Sequence, residues 1–452
     1  MNLIRIFVRT MRFPLLGLLF ASCVVSAANQ RPNIILILAD DVGHEVIETD
    51  DYETPTLDAM AEHGLKFTQC YVTPLCTPTR LSIMTGQYGH RNYDNFGSFP
   101  KSQVDQTFGT MMQQAGYRTC FAGKWQLGPY SPSEMGFDQH LKYITYEGVK
   151  INQNYFWNPT DASILSRIFV NDKKITEPVE YGPDYVLDFI QDFVTTESDK
   201  PFFVYYPMLL THGPFQPTPD TEDKDFSEEK AYTNLVKYFP DNVKYMDKLV
   251  GQLISTVVEA GIAENTVILF LGDNGSPGIK AMVNGELRGG GKTRFTDAGT
   301  HVPFLAYWKG KTPVGLAIDD LVDASDFYAT IAELAGVPEM SEGRDGVSFA
   351  PQLLGQTGTK RDWAFCHYKG KPKPGETITG AYWIRDKNWK LYYDGRLVNV
   401  ANDYWENSPI MPSEDTEMSR SIRRRLQSDM DTLNVSPESL LHSETGSAEA
   451  IE

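Results

Sequence analysis

The sequence predicts an α/β protein: a large domain with a mostly parallel mixed sheet sandwiched by helices, followed by a smaller C-terminal domain with an antiparallel sheet. Three observations carry this. The runs 31–39 and 265–271 are almost continuously apolar and bounded by turn formers, the pattern of strands buried on both faces. Segments with a helical apolar period that stop at glycine, such as 54–64 and 107–116, alternate with them. Beyond Arg344 the pattern shifts to strand-sized pieces separated by charged turns.

Residues 1–27 read as a secretory leader. Arg5, Arg9 and Arg12 precede an apolar stretch over 13–25 that ends in Ser26-Ala27, too short and wrongly flanked for a stable membrane span. Ala21-Ser-Cys23 also resembles a lipoprotein processing site, so the expected location is periplasmic or secreted, with lipid anchoring as the lesser option. Without Cys23, the cysteines are Cys70, Cys76, Cys120 and Cys366, neither dense enough for a disulfide scaffold nor spaced as a metal cluster. The chain of 452 residues can bury one large core and a smaller unit. Its formal charge of -18 argues against a nucleic-acid partner. An anionic substrate must therefore be held by local positive charge.

The first strand ends in Asp40-Asp41. Adjacent carboxylates at the carboxyl end of a buried strand, where open α/β sheets place ligands, repel each other unless a cation neutralises them. A helix over 54–64 and a strand over 65–71 lead to the stretch 75–86. There Pro78 suits an early helical position, and Cys76 and Arg80 share a face if the helix starts at or just after Cys76. A helix start also offers free N–H groups to an anion. A strand over 117–124 delivers Lys124 into a loop, and residues 129–180 are expected as loops and short strands. After a helix over 184–193, the strand over 201–210 delivers His212. Residues 218–231 read as an exposed excursion and 234–259 as a long helix. The strand over 265–271 ends in Asp273 and Asn274, oxygen donors of the kind hard cations choose. Glycines 289–291 before Lys292 suggest backbone lying close to a ligand, with Arg294 nearby. A strand over 302–308, a helix over 323–336 and three short strands over 364–368, 381–385 and 389–393 complete the pattern, before a surface helix and a loose tail. The expected boundaries are a leader over 1–27, a catalytic domain over 28–345, a C-terminal subdomain over 346–430 and a flexible tail over 431–452.

Cys76-Thr-Pro-Thr-Arg80 with Thr85-Gly86 resembles the sulfatase signature, in which the cysteine is oxidised after translation to formylglycine (3-oxoalanine). The Asp-Asp, Gly-Lys-Trp, Thr-His-x-Pro and Asp-Asn-Gly segments follow in the family's order over nearly the whole mature chain. The resemblance implies an alkaline-phosphatase-like fold. It also implies one calcium ion held by Asp40, Asp41, Asp273 and Asn274, with the modified Cys76 facing it. Arg80 would orient the formylglycine hydrate, Lys124 and Lys292 would bind sulfate oxygens, and His212 would stand at the bridging or leaving oxygen. A formylglycine-generating or anaerobic sulfatase-maturating enzyme would be needed as a partner. The expected activity is hydrolysis of a sulfate ester on a small molecule or, preferentially, a glycan, as in polysaccharide degradation.

The chemistry suits these residue types. A sulfate monoester repels a nucleophile until its charge is shared with cations. One hydroxyl of the hydrated aldehyde attacks sulfur and expels the alcohol, and proton loss from the other releases sulfate and restores the aldehyde. Charged His212, or Lys292, would protonate the departing oxygen. Two positions depart from the family pattern. Gln126 stands where relatives usually carry a histidine that contacts the formylglycine, and an amide accepts no proton usefully at neutral pH. His301 stands where relatives often carry arginine, as a substrate-side residue or a structural substitute. His44 and His90 are possible replacements for the missing base. Trp125, Tyr93, Phe96, Phe215 and the aromatics at 155–157 are candidate faces for sugar rings. The alternatives are a phosphate or phosphonate monoester hydrolase on the same scaffold, or a sulfated-glycan binding protein with weak or lost turnover.

Overall fold

The computed structural model describes residues 31–92, 100–144, 168–176, 179–224, 235–370 and 380–441. The strands in chain order are β1 (Asn33–Ala39), β2 (Leu65–Tyr71), β3 (Arg118–Trp125), β4 (Gln139–Ile144), β5 (Ile168–Val170), β6 (Lys173–Lys174), β7 (Phe202–Pro207), β8 (Thr266–Gly272), β9 (Lys280–Val283), β10 (Glu286–Gly289), β11 (His301–Trp308), β12 (Leu316–Asp323), β13 (Ala364–Tyr368), β14 (Ala381–Arg385), β15 (Trp389–Tyr392) and β16 (Leu397–Asn399). The helices are α1 (Pro55–His63), α2 (Cys76–Thr85), α3 (Gly89–Asn92), α4 (Phe108–Gln114), α5 (Gly182–Thr195), α6 (Leu235–Glu259), α7 (Asp297–Thr300), α8 (Asp326–Leu334), α9 (Ala350–Leu353) and α10 (Glu417–Asp431).

Ten strands form one mixed sheet in the order β12-β2-β11-β8-β1-β7-β3-β4-β5-β6. Strands β8, β1, β7, β3 and β4 run parallel as a block, while β11 is antiparallel to both of its neighbours. Alternation along β1 shows why the strand is apolar throughout. Ile35, Ile37 and Ala39 join the core under α1, α5 and α6, and Ile34, Leu36 and Leu38 join the core under α2, α4 and α8. Both faces of the strand are covered, so neither tolerates a polar side chain.

Within the described residues the expected elements are present with shifted ends, and several pieces were not anticipated; residues 225–231 of the expected excursion lie outside the described residues. β12 begins exposed and carries Asp319-Asp320, so its edge position does not show as an apolar run. Its formation shortens the helix expected over 323–336 to 326–334. The hairpin β9–β10 turns on Asn284-Gly285, both at positive φ, and its strands have only four residues each.

The C-terminal sheet runs β13-β14-β15-β16, antiparallel throughout. One face packs Ile384 and Leu391 with Leu426 and Met430 of α10, and the other packs Trp383 and Cys366 with Tyr71 and Leu321 of the large sheet's edge. The described residues from Arg31 onward cluster as one compact unit. The expected loose tail is packed as far as Leu440, which is fully buried, and Ser439 bonds His367 at 2.9 Å.

Asp297 ties the two sheets together. Its carboxylate takes two 2.8 Å hydrogen bonds from Arg385 and one from Lys390, which also pairs with Glu406 at 2.6 Å. Burial would raise the Asp297 pKa, but Arg385 and Lys390 outweigh it and hold the acid well below the usual carboxylate range. A depressed acid contributes stability above the unfolded pKa and loses it only as pH falls through the folded one. Asp297→Asn is therefore expected to cost about 3 kcal/mol near neutral pH, because buried Arg385 loses its charge partner and Lys390 keeps only Glu406. Urea unfolding of wild type and variant measures this, and the gap should shrink in strong acid.

Candidate active site

Because β8, β1, β7 and β3 are adjacent and parallel, their carboxyl ends deliver Asp273-Asn274, Asp40-Asp41, His212 and Lys124 to one edge of the sheet. A regular strand would send Asp40 and Asp41 to opposite faces. Asp41 instead takes φ 62, a left-handed conformation that Asp tolerates better than most residues, and both carboxylates face the same site. Asp40, Cys76 and Asp273 each bring one possible ligand atom to within 4.8 Å of one another, as do Asp40, Asp41 and His212.

α2 supplies Cys76 and Arg80. Cys76 is the first helical residue, after Leu75 in extended conformation, and all ten residues of the helix are buried. The far end stops at Gly86, φ 64, whose N–H bonds Ser82 O at 2.8 Å. Arg344 holds the Thr85 carbonyl at 2.7 Å. A rigid, sequestered helix thus fixes the cysteine. Arg80 donates to Asp273 at 2.7 Å and lies 3.6 Å from Asp40.

The cluster balances carboxylates against cations. Lys124 pairs with Asp40, and Lys292 with Asp41 at 2.6 Å. Burial would raise the Asp40 pKa, but Lys124, His212 and Arg80 hold it far below the carboxylate range. Asp273 goes the other way, to about 7, because burial and the Asp40 charge outweigh Arg80. Burial raises the Cys76 thiol against the pull of Lys124, with Asp40 and Asp273 adding to the rise, so it is a thiol rather than a thiolate at neutral pH. Burial, then Lys124 and Lys292, bring His212 down to about 4. The expectation of a charged His212 therefore meets a neutral ring here. Its Nδ1 lies 2.5 Å from the Gly213 carbonyl, a contact that assigns the N–H there and leaves Nε2 as the acceptor nitrogen.

Lys292 is placed by backbone. Its N–H bonds Ser276 O at 3.0 Å, and the next residue, Thr293, bonds Pro74 O at 2.9 Å with φ 76. A Cβ on Gly291 would collide with Ala298, which explains one glycine of the run before it. A β-branched residue at positive φ stores of order 1 kcal/mol of strain. Thr293→Gly should therefore leave stability within about 1 kcal/mol in urea unfolding, because relief of the strain is offset by glycine's greater unfolded-state entropy, while KM rises as the backbone that mounts Lys292 loosens.

Ser276 was missed by sequence reasoning. Its hydroxyl accepts from Gly43 N–H at 3.0 Å, tying the loop after Asp41 to the segment after Asn274. A lone serine after Asp-Asn-Gly carries no periodic signal that would reveal this.

Several other expected residues pack away from the cluster. His301 heads β11, donates to Thr68 O at 3.0 Å, and stacks between His44 at 3.9 Å and Tyr71 at 5.0 Å. That favours the structural role for His301 and gives His44 a packing role. His90 packs among Tyr88, Phe365 and His367. Trp125 and Phe215 are buried in the cores, so neither offers a face to a sugar. Tyr93, Phe96 and the aromatics at 155–157 lie outside the described residues, as does the leader. Arg294 makes a backbone hydrogen bond to Gly291, with nothing placing its side chain in the cluster. Gln126, two residues after Lys124, is buried. Among the described residues no helix is long and apolar enough to cross a membrane.

This fold sets a candidate metal centre of buried carboxylates at the strand ends with three cationic side chains around them, an arrangement suited to hydrolysis at an anionic group. The sulfatase family description matches residues 32–337, and the chain belongs to the sulfatase family. A sulfatase of Formosa agariphila is 27% identical, over 89% of this chain and 90% of its own length. Arylsulfatase G of Rattus norvegicus is 30% identical, over 73% and 70% respectively. In fold, the chain is similar to Ps i-CgsB, solved with k-i-k-neocarrahexaose, at TM-score 0.69 and 24% identity, covering 92% of this chain and 96% of that one.

Proposed function

We propose that this chain hydrolyses a sulfate ester on a carbohydrate, using a formylglycine derived from Cys76 and one calcium ion. The observation that carries the reading is Cys76 itself. It begins a buried helix, lies against Asp40 and Asp273, and is held as an uncharged thiol. A thiol so placed is a poor nucleophile and a well-sited precursor. At 2% exposure it is closed to an enzyme once folded, so a formylglycine-generating or anaerobic sulfatase-maturating enzyme would act on the unfolded chain.

Calcium fits the donors. Asp40 Oδ1 and Asn274 Oδ1 are buried oxygens with no hydrogen-bond partner, and Asn274 directs its amide N–H to Asp41 at 2.8 Å, which leaves its oxygen free. An all-oxygen set from Asp40, Asp41, Asp273 and Asn274 suits a hard cation. When bound, the ion supplies Lewis-acid charge sharing at the ester oxygens. A formylglycine hydrate at position 76 would supply the nucleophilic hydroxyl and a second hydroxyl for release of the product.

The chain's own residues do the rest. Lys124 and Lys292, each now neutralising a carboxylate, are in reach to share the charge of the sulfate oxygens. Arg80 holds Asp273 and Asp40 in place below the group at position 76. Neutral His212 offers Nε2 as an acceptor for the proton of an entering hydroxyl or water, which leaves charged Lys292 as the group that would protonate the departing oxygen.

Supporting the sugar preference, Ps i-CgsB, with a like fold, was solved with an oligosaccharide. The proposed location is outside the cytoplasm, on the strength of residues 1–27. The test is free sulfate release from sulfated oligosaccharides by protein co-produced with a maturating enzyme, beside paired aryl sulfate, phosphate and phosphonate esters. Sulfate release from sugars with weak phosphate turnover is expected. Faster turnover of phosphate or phosphonate would reassign the substrate class.

A further inference from the structure

We propose that Gln126 is a specificity-determining residue that reads a free hydroxyl on the substrate carbon next to the sulfate ester. This rests on the sulfate-ester reading of the site and names what its substrate must carry.

Gln126 directly follows β3 and is 7% exposed, yet neither Oε1 nor Nε2 has a hydrogen-bond partner. A buried amide with both ends unpaired is costly and rare in a folded protein, and here it lies two residues from the lysine that pairs with Asp40. The residue between them, Trp125, is turned into the apolar core with its N–H on Tyr130 O at 3.0 Å, so it contributes nothing to the site. The unpaired amide is thus a feature of the site's own strand end.

The amide presents a donor and an acceptor side by side. A sulfate ester is fully ionised at neutral pH and has no proton to give, so it can satisfy Nε2 but not Oε1. The complement must also donate. A hydroxyl carried on residue 76 is the other source of an O–H, but under the sulfate-ester reading the hydrate's two hydroxyls are committed to attack on sulfur and to release of the product. The substrate's hydroxyl is left as the donor for Oε1, with Nε2 on an ester oxygen beside it. A sugar sulfated at a ring carbon, with its neighbouring hydroxyl free, offers that pair. A site built to hydrogen-bond a hydroxyl rejects the analogue lacking it, because its buried groups stay unpaired.

The experiment uses Cys76→Ala, which binds without turnover and brings no hydroxyl at position 76. Calorimetry measures Kd for monosulfated methyl hexopyranosides sulfated at a ring carbon, then for the best binder deoxygenated at the adjacent carbon. The deoxy analogue should bind about 10- to 100-fold more weakly. Adding Gln126→Leu should erase that difference and leave both ligands weak. Leu should also raise Tm, because an unpaired buried amide is removed. Equal binding of the two sugars by Cys76→Ala, an undiminished difference after Gln126→Leu, no binding by any sugar of the set, or a lowered Tm each overturns the proposal. Sulfate release from an aryl sulfate by the matured wild type is measured in parallel. Release there with no hydroxyl discrimination sinks this inference alone, whereas no release from any sulfate ester sinks the functional reading beneath it.

Discussion

Cys76→Ala should fold like the parent and release sulfate at least about 10⁴-fold more slowly, the scale on which removal of a covalent nucleophile acts. The loss is expected to be chemical rather than structural. The thiol is small and buried, and it makes no hydrogen bond that the fold depends on, so truncation to Ala should cost no more than about 1 kcal/mol. Cys76→Ser makes the sharper companion. A serine hydroxyl placed between Asp40, Asp273 and Lys124 could take the sulfuryl group once, but it has no second hydroxyl to expel it. Intact-mass analysis should then show protein carrying one added sulfuryl group and no steady turnover. Equal steady rates for wild type and Cys76→Ala would remove Cys76 from the reaction.

Much of this site was legible in the sequence because its residues are delivered by strand ends. A run such as 265–271 announces both a buried strand and the place where its following residues must emerge, so Asp40, Asp41, His212, Asp273 and Lys124 could be gathered before any coordinates. Cys76 and Arg80 were legible for a different reason, the four-residue spacing at a helix start. His301 was not. Nothing local distinguishes a histidine aimed at a ligand from one stacked between His44 and Tyr71, since both partners come from distant parts of the chain. The same holds for Asp297, whose partners Arg385 and Lys390 lie about ninety residues away. His212 emerges after its strand, but its neutrality follows from burial first and then from Lys124 and Lys292 arriving on other elements, which spacing does not reveal. β12 and the β9–β10 hairpin escaped because edge and hairpin strands are only half buried and carry no continuous apolar run.

Calcium should stabilise the chelator-treated protein strongly at pH 7 and weakly near pH 4. Asp40, Asp41 and Asp273 crowd three carboxylates into a buried site, and the Asp273 pKa rises to about 7 through burial and the Asp40 charge. An acid with a raised folded pKa favours the unfolded state as pH climbs from its unfolded value of about 3.9 toward the folded one, by up to about 1.4 kcal/mol per pH unit. That penalty is fully developed by pH 7 in the metal-free protein. A divalent cation removes it by replacing the proton, and metal binding releases protons wherever the ligand is still protonated. The Tm gain on adding calcium should therefore grow from pH 4 to pH 7 and then level off. Histidines depressed by burial, such as His90 and His367, also make stability rise over part of this range, but they do so with and without calcium and cancel in the difference. Asp273→Asn should flatten the pH dependence of the calcium gain and reduce its size, since one ligand charge and the shifted proton both disappear. If calcium left Tm unchanged at pH 7, or zinc at equal concentration produced the larger gain, the all-oxygen assignment would be wrong.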